Sequence, residues 1–261
     1  MPDHTQALLR VAEVSRQFGG VTALDHVSFA VMPGAICGLI GPNGAGKTTL
    51  INIISGLTPA NEGRIVFDGA IINHLPAHEI ARNGIGRTFQ NIRLFGDLTV
   101  LENVMVGHHL HQRGAIIETL LRLPGSRRAE QATRAAALQL LRRLRLEHLA
   151  PVAAGALSYG DQRRVEIARA LALEPRLLLL DEPAAGMVAT ETEQLAQFLL
   201  ELRAAGLTLL VIEHHMDLIM SICDQIVVLN FGRAIAAGSP EQVRHDPRVI
   251  EAYLGEDESE G

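Results

Sequence analysis

Short apolar runs, separated by glycine and by polar stretches, set the pattern of the chain. Residues 8–18 and 27–31 are rich in alternating β-branched positions and predict two antiparallel edge strands. Residues 36–40, 177–180 and 207–212 are apolar almost without interruption, which is typical of strands buried on both faces of a parallel sheet. Amphipathic helical segments follow these runs, so the pattern predicts an α/β fold with a mostly parallel sheet.

The middle of the chain has a different period. After predicted strands at 64–69 and 84–90, the second ending at Gln90, helical periodicity takes over. We therefore predict a single domain. Its catalytic α/β core, residues 6–90 and 157–238, is interrupted by a helical insert at about 91–156. C-terminal helices at 239–255 and a disordered acidic tail at 256–261 follow the core.

Composition excludes some classes of function. The net charge of −6 and the absence of a basic block give no support to nucleic-acid binding. The two cysteines, Cys37 and Cys223, lie in apolar stretches and form no metal-ligand or redox pattern. No apolar run reaches the roughly 18 residues that span a bilayer, so we expect any role at a membrane to depend on a partner.

A glycine-rich segment, residues 41–48, follows the apolar run 36–40 and leads into a helical segment. Its pattern is G-x-x-x-x-G-K-[ST], in which glycines let backbone N–H groups wrap a phosphate chain at a helix N-terminus. We predict that Lys47 contacts the β- and γ-phosphates and that the Thr48 hydroxyl binds Mg²⁺. The predicted ATP contacts of this loop are Gly41, Pro42, Asn43, Gly44, Ala45, Gly46, Lys47, Thr48 and Thr49.

Lys47 is the only lysine among the 23 basic residues of the chain, and all the others are arginine. An ammonium is a compact point charge that fits between closely spaced phosphate oxygens, whereas a guanidinium is wide and planar. The exception therefore supports a catalytic, phosphate-binding role for Lys47.

Acidic and histidine side chains follow the buried strands. Asp181 and Glu182 come directly after the run 177–180, at the strand end where open parallel sheets bind ligands. We predict that Asp181 binds Mg²⁺ and that Glu182 acts as the general base on the attacking water. His214, after the run 207–212, is predicted to contact the γ-phosphate or that water.

Three further features complete the predicted site and its surroundings. Ser158 stands at the N-cap of an amphipathic helix, whose N-terminus offers a second anion site. Phe18 ends the first predicted strand and is a candidate platform for a base.

Thr190 and Glu193 are predicted to form a capping box that opens a helix running to Ala205.

Taken in order, these motifs resemble those of ABC-transporter nucleotide-binding subunits. GPNGAGKT, Gln90, LSYGDQ, LLLLDE and His214 are similar to the phosphate loop, Q-loop, signature, Walker B and switch histidine of that family. RTFQNIRLF, EPAAG and PRVIEAYLGE are similar to the LivG-type subunits of branched-chain amino-acid importers. The resemblance covers about residues 8–255 and implies a P-loop NTPase core with an antiparallel β edge subdomain and an inserted α-helical subdomain.

The resemblance also implies an assembly. ATP and Mg²⁺ would bind between the phosphate loop of one subunit and the signature of a second ABC ATPase subunit, identical or not, through Ser158 and Gly160. Phe18 would stack on adenine, and Gln90 would contact Mg²⁺ and sense a membrane subunit. Two membrane permease subunits, and indirectly a substrate-binding protein, would complete an importer, with this chain peripheral on the cytoplasmic face of the inner membrane.

The motifs depart from the family pattern in the signature and in the loop after Glu182, and two alternative functions fit the sequence. The signature has Tyr159 where glycine is usual and Asp161 where glutamine is common, and the loop Ala184–Val188 lacks the usual aspartate. The alternatives to branched-chain amino-acid import are an ABC transporter for another cargo, such as urea, short amides or lipid, and an ABC-type ATPase not linked to transport.

Overall fold

A computed structural model describes residues 7–109 and 124–257. The described residues form two compact units: one runs up to Arg87 and resumes at Arg176, and the other runs from Thr88 to Pro175. Part of the predicted helical insert, residues 110–123, and the end of the predicted acidic tail, residues 258–261, lie outside the described residues.

The first unit contains an antiparallel sheet. Its strands, in the spatial order β2-β1-β4-β5, are β1 (Leu9–Phe18), β2 (Val21–Val31), β4 (Glu62–Phe67) and β5 (Ala70–Ile71). The prediction that β1 is an edge strand is wrong, because Val11 pairs with Phe29 of β2 on one side and with Ile65 of β4 on the other. Ile65 is 54 positions beyond Val11, so the local sequence pattern of β1 gives no sign of this pairing.

The same unit contains a six-stranded, mostly parallel sheet. Its strands, in the order β10-β9-β3-β8-β7-β6, are β3 (Ile36–Ile40), β6 (Ile85–Arg87), β7 (Leu177–Asp181), β8 (Thr208–Ile212), β9 (Gln225–Asn230) and β10 (Arg233–Gly238). Every neighbouring pair is parallel except the hairpin of β9 and β10. All residues of β3, β7 and β8 are buried, as the uniform apolar runs predict. β6 ends at Arg87, three residues before the predicted end at Gln90.

Helices connect these strands. Those of the first unit are α1 (Lys47–Ile54), α2 (Ala77–Arg82), α6 (Ala189–Ala204), α7 (Met216–Ile222), α8 (Pro240–Arg244) and α9 (Pro247–Asp257). α9 extends to Asp257, two residues into the segment that the sequence predicts as a tail.

The start of α6 differs from the prediction. Its N-cap is Val188, two residues before the predicted cap Thr190, and the Glu191 carboxylate accepts a hydrogen bond from the Val188 N–H at 3.2 Å. The predicted capping box of Thr190 and Glu193 is therefore wrong. A valine side chain offers no acceptor, so only the glutamate half of such a box can form at this helix.

The second unit is helical. It contains α3 (Val100–His109), α4 (Pro124–Arg143) and α5 (Tyr159–Leu171), and α3 packs on both of the others. A Cβ at Gly107 of α3 would lie 2.3 Å from the Arg169 carbonyl oxygen, so the absent side chain lets α3 approach α5 closely. From its sequence, α5 is predicted to belong to the catalytic core, whereas its contacts group it with the helical unit.

Within residues 7–109 and 124–257, none of the helices is long and apolar enough to span a lipid bilayer.

Candidate active site

The predicted catalytic segments of the first unit lie at one edge of the parallel sheet. β3, β8 and β7 are consecutive neighbours, about 4.8 Å apart, and their carboxyl ends meet at the same edge. The phosphate loop, residues 41–48, follows β3; His214 follows β8 after one residue; Asp181 ends β7 and Glu182 follows it. The fold thus brings together residues that are up to 173 positions apart.

Glycine shapes the phosphate loop at two tightly packed positions. Gly41 has φ 147°, and a Cβ there would lie 2.0 Å from the Leu229 carbonyl oxygen. Gly46 has φ 101°, and its Cβ would lie 2.6 Å from the Ala23 carbonyl oxygen. Gly44 has φ 77° and open space where a Cβ would point. Gly41 and Gly46 are therefore required because a Cβ would collide with neighbouring backbone. Gly44 is favoured only because its positive φ suits a residue without a Cβ.

Lys47 folds over this loop. Its Nζ donates hydrogen bonds to the carbonyl oxygens of Gly41 at 2.6 Å and Pro42 at 2.8 Å, and the residue is 8% exposed. The ammonium is thus held among the backbone groups of the loop, where the predicted phosphate chain would lie. A compact ammonium fits among these backbone groups more readily than a wide, planar guanidinium.

The first turn of α1 is open to an anion. Its N-cap is Gly46, in the left-handed conformation, and a glycine has no side chain with which to cap the first backbone N–H groups. Thr48 is exposed and Thr49 half-buried in that first turn. A helix N-terminus of this kind, with N–H donors and the positive end of the dipole, binds phosphate.

Asp181 is buried and paired. Its Oδ2 accepts a hydrogen bond from Arg87 Nη2 at 3.2 Å, and Arg87 Nη1 donates to Asn52 Oδ1 and to Ser55 Oγ, both at 2.8 Å. The sequence predicts that a carboxylate at the end of a buried strand must be solvated, metal-bound or paired, and Arg87 supplies the pairing. Arg87 is not among the site residues predicted from the sequence.

Glu182 follows Asp181 with an unusual backbone. Its φ is 46°, in the left-handed region that glycine favours, and such a conformation costs about 1 kcal/mol or more in a residue with a Cβ. The Glu182 N–H donates to the Ile212 carbonyl oxygen of β8 at 3.0 Å, which holds this turn on the sheet edge. The side chain is half-buried at that edge.

A buried carboxylate that the sequence analysis left without a role organises the neighbouring loops. Glu213 Oε1 accepts from the Ala184 N–H at 2.7 Å, and Oε2 accepts from the backbone N–H groups of His214 at 3.0 Å and His215 at 3.3 Å. His215 Nδ1 lies 3.0 Å from the same oxygen, and the His214 side chain is 55% exposed. Glu213 thereby links the loop after β7 to the backbone that presents His214. Candidate ligand atoms of Glu213, His214 and His215 lie within 4.8 Å of one another, but the Glu213 oxygens are used by these donors.

Phe18, the predicted adenine platform, ends β1 and is 46% exposed. The Arg16 guanidinium lies over its ring, 4.4 Å from the centroid. One face of the ring is therefore covered by a cation, as in a cation–π contact.

The cysteines behave as core residues. Burial raises the pKa of the Cys37 thiol, in β3 directly before the phosphate loop, to about 12. Burial and the nearby Cys37 also raise the pKa of Cys223. Both thiols therefore stay protonated at neutral pH, which argues against a reactive role.

In the second unit, Ser158 caps α5 as predicted. Its Oγ accepts from the Asp161 N–H at 3.2 Å and donates to Asp161 Oδ2 at 3.2 Å. Ser158 is exposed, Gly160 is buried, and Tyr159, at the position where glycine is usual, is 40% exposed. The signature segment, Leu157–Gln162, therefore presents polar groups at the surface of its unit.

α5 also holds the segment that contains Gln90. The buried Arg163 donates to the Phe89 carbonyl oxygen at 2.8 Å, to the Gln90 carbonyl oxygen at 2.7 Å and to Glu166 Oε2 at 2.7 Å. Glu166 Oε1 accepts from the Arg93 N–H, and burial raises the pKa of Glu166, against the opposing effect of Arg163. The backbone on both sides of Gln90 is fixed to α5, while the Gln90 residue itself is exposed.

The predicted site residues are thus divided between the units. Phe18, the phosphate loop, Asp181, Glu182 and His214 belong to the first unit, whereas Gln90, Ser158 and Gly160 belong to the second. Sequence reasoning missed Arg87, Arg163 and Glu213. Glu213 directly follows the predicted strand 207–212, whereas Arg87 lies within the predicted strand 84–90, and the residues that they contact at the end of or after β7, Ala184 and Asp181, are distant in sequence.

Comparison with known proteins assigns the family. Residues 24–185 match the family described as ABC transporter, and residues 235–259 match the branched-chain amino acid ATP-binding cassette transporter family. The chain belongs to the ABC transporter ATP-binding family. It is 44% identical over 253 residues to the high-affinity branched-chain amino acid transport ATP-binding proteins BraF of Pseudomonas aeruginosa and LivG of Escherichia coli K12. Each comparison covers 97% of this chain and 99% of the relative.

Solved ABC structures share the fold. The ADP conformation of MJ1267, an ATP-binding cassette of an ABC transporter, has a TM-score of 0.84 and 36% identity, with 96% of this chain and 100% of that chain covered. The dimeric post-hydrolysis state of the cassette MJ0796, bound to ADP and Pi, has a TM-score of 0.73 and 29% identity, with 89% and 98% covered.

These findings confirm three predictions from sequence. The chain has the α/β fold of P-loop ABC ATPases, it is an ABC ATPase subunit of the LivG type, and it is an enzyme that binds and hydrolyses ATP. Like other ATP-binding subunits of ABC transporters, it is membrane-associated.

Proposed function

We propose that this ABC ATPase drives import of branched-chain or related neutral amino acids. The ATPase activity is supported by one edge of the parallel sheet, where three adjacent strands are followed by the phosphate loop, by Asp181–Glu182 and by His214. The cargo rests on two similarities: the C-terminal match at residues 235–259 and the relatives that are named as branched-chain amino acid transport proteins.

The proposed chemistry assigns each group a task. Lys47 and the first-turn N–H groups of α1 bind the β- and γ-phosphates. Thr48, Asp181 and Gln90 hold Mg²⁺, and oxygen donors of this kind are the ligands that Mg²⁺ prefers. Glu182 accepts a proton from the attacking water, and His214 contacts the γ-phosphate. Phe18 stacks on adenine through the face that Arg16 does not cover.

We further propose that each ATP lies between two ABC ATPase subunits. The phosphate loop supplies one side, and the signature segment of a second copy or a sister subunit supplies the other through Ser158 and Gly160. The similarity to a cassette solved as a dimer with ADP and Pi supports this arrangement. Closure on ATP and reopening after hydrolysis would then provide the mechanical stroke of transport.

The remaining partners follow from the transporter assignment. Two permease subunits would carry the transport path, and a substrate-binding protein would deliver the amino acid to them. This chain would sit at the cytoplasmic face of the inner membrane, where ATP is available. Its net charge of −6 gives no reason to add nucleic acid to these partners.

Transport in reconstituted vesicles tests the cargo. The chain is co-purified with its permease subunits and reconstituted with saturating ATP on its own side of the membrane and the substrate-binding protein on the other, and uptake of radiolabelled leucine is compared with uptake of urea. We expect leucine uptake that is lost in the Glu182→Gln variant. Uptake of urea alone would contradict the amino-acid assignment, and failure of the chain to co-purify with any permease would contradict the transport role.

A further inference from the structure

Arg87 joins two parts of the first unit that the proposed function requires to act together. Its guanidinium contacts the end of β7 through Asp181 and the last turn of α1 through Asn52 and Ser55. The side chains of Arg87 and Asp181 are only 10% and 6% exposed. An ion pair this well shielded from water has a defined geometry, unlike a mobile surface pair.

The guanidinium is anchored mainly on α1. Nη1 makes both 2.8 Å contacts with that helix, and the longer 3.2 Å contact goes from Nη2 to Asp181 Oδ2. Ser55 Oγ donates its own proton to the Ile51 carbonyl oxygen at 2.8 Å, so a lone pair of the hydroxyl faces Arg87. A cation at the C-terminal end of α1 is also favoured by the helix dipole. Arg87 therefore presents a fixed donor to Asp181.

The contact with Arg87 is at the C-terminal end of α1, and the proposed phosphate and metal ligands are at the N-terminal end of the same helix. α1 begins with Lys47 and Thr48, and Thr48 and Asp181 are the two Mg²⁺ ligands proposed within this unit. Mg²⁺ demands nearly ideal octahedral geometry at about 2.0–2.1 Å, so ligands on two separate elements must keep a fixed spacing. Parallel pairing of β6 with β7, in which Arg87 lies opposite Leu179, brings the arginine next to the strand that ends in Asp181.

We propose that Arg87 is a positioning residue for the metal site: it fixes the Asp181 carboxylate relative to α1 and so to Thr48. This inference depends on the proposed Mg²⁺ site. It assigns Arg87 no contact with nucleotide and no part in proton transfer. The opposite role, a cation that competes with Mg²⁺ for Asp181, would give the opposite result when Arg87 is removed.

The test measures how much Mg²⁺ strengthens nucleotide binding. The affinity of the intact chain for a fluorescent ADP analogue is determined in EDTA and in saturating Mg²⁺, and the ratio of the two dissociation constants is the Mg²⁺ effect. We expect Arg87→Ala to reduce this ratio at least fivefold while the affinity in EDTA changes less than twofold. Arg87→Lys should give a ratio between those of the wild type and Arg87→Ala, because one ammonium cannot reproduce the forked guanidinium that reaches both α1 and Asp181.

Two further variants separate positioning from loss of charge and from loss of stability. Asn52→Ala keeps the arginine and its partner carboxylate but removes one anchor on α1, and we expect about a twofold reduction in the ratio. Arg203→Ala removes an arginine that pairs with Asp224 in the same unit, away from the predicted site, and should leave the ratio unchanged. Thermal unfolding of each variant shows whether a change in the ratio merely follows lost stability.

The outcomes are distinct. A wild-type or larger ratio in a folded Arg87→Ala variant would overturn the inference, whatever the ratio in Asn52→Ala. If Arg87→Ala does not fold, Asn52→Ala and Arg87→Lys decide, and wild-type ratios in both would overturn it. A wild-type protein whose affinity does not respond to Mg²⁺ would refute the proposed metal site itself.

Discussion

The phosphate loop of the first unit and the signature segment of the second are held in shape by different means. Around the phosphate loop, backbone carbonyl groups of other segments occupy the space beside Gly41 and Gly46, and Lys47 is buried. The signature segment is shaped by its own side chains: the Ser158 hydroxyl exchanges hydrogen bonds with Asp161, and Gln162 Nε2 donates to the Leu157 carbonyl oxygen at 3.1 Å. Packing from within the chain encloses the loop, whereas the exposed cap of α5 leaves polar groups facing outward.

This difference indicates which region needs a partner. A loop enclosed by its own unit can bind a phosphate chain without further contacts. A capped helix N-terminus at a surface offers donors that a ligand must approach from outside. Substitutions in the first region should therefore affect binding or folding of the chain itself, and substitutions in the second should act mainly when a second subunit closes on ATP.

The largest expected effect is that of Lys47→Arg on ATP hydrolysis. A guanidinium is wider than the ammonium that now donates to the Gly41 and Pro42 carbonyl oxygens, so we expect the turnover rate to fall about a thousand-fold, on the scale of losing a donor that stabilises the transition state. Steady-state phosphate release measures it. The converse substitution Arg82→Lys, on the exposed end of α2, is the control and should have no effect. Near-normal turnover in Lys47→Arg would show that charge alone suffices.

The next effect compares two glycines of the phosphate loop. Gly41→Ala would place a Cβ 2.0 Å from a backbone oxygen, and we expect the free energy of unfolding to fall by about 3 kcal/mol. Gly44→Ala meets open space, so only its left-handed conformation contributes, at about 1 kcal/mol. Urea denaturation measures both. Equal losses would mean that the loop is not enclosed as described.

The smallest effect on stability is that of Ser158→Ala. Removing an N-cap costs about 1 kcal/mol, and the matched variant Ser239→Ala removes the cap of α8, where Ser239 likewise accepts from the N–H three residues on. We expect similar losses of unfolding free energy in the two variants. Turnover at saturating ATP should fall about tenfold in Ser158→Ala alone, because only this hydroxyl is proposed to meet a phosphate. Equal turnover in the two variants would show that Ser158 caps the helix and does not contact a phosphate.

Local chemistry decides how far the sequence predicts these regions. Glycine spacing before a helix, a fully apolar strand before Asp181 and a serine before α5 are local patterns, and the structure has the predicted loop, strand and cap. The start of α6 is also local, but two glutamates compete there, and the backbone uses Glu191 rather than Glu193.

Contacts between distant residues account for what the sequence could not predict. β1 is an internal strand because it pairs with β4, in which Ile65 lies 54 positions beyond its partner Val11. Arg87 meets Asp181 across 94 positions, and Arg163 meets the Gln90 carbonyl across 73. No local pattern distinguishes Arg163 from the many other arginines of the chain, and the place of Arg87 at the start of RTFQNIRLF does not identify Asp181 as its partner.

The central claim is that the chain contributes two half-sites and that a second subunit completes each ATP site. The direct measurement is the mass of the Glu182→Gln variant by light scattering, in ATP with Mg²⁺ and in ADP, with the chain alone and mixed with a sister ABC ATPase subunit. The account predicts a dimer in ATP in at least one of these mixtures, monomers in ADP, and loss of the dimer when Ser158→Glu is added. Monomers in ATP under both conditions, with ATP bound, would contradict it.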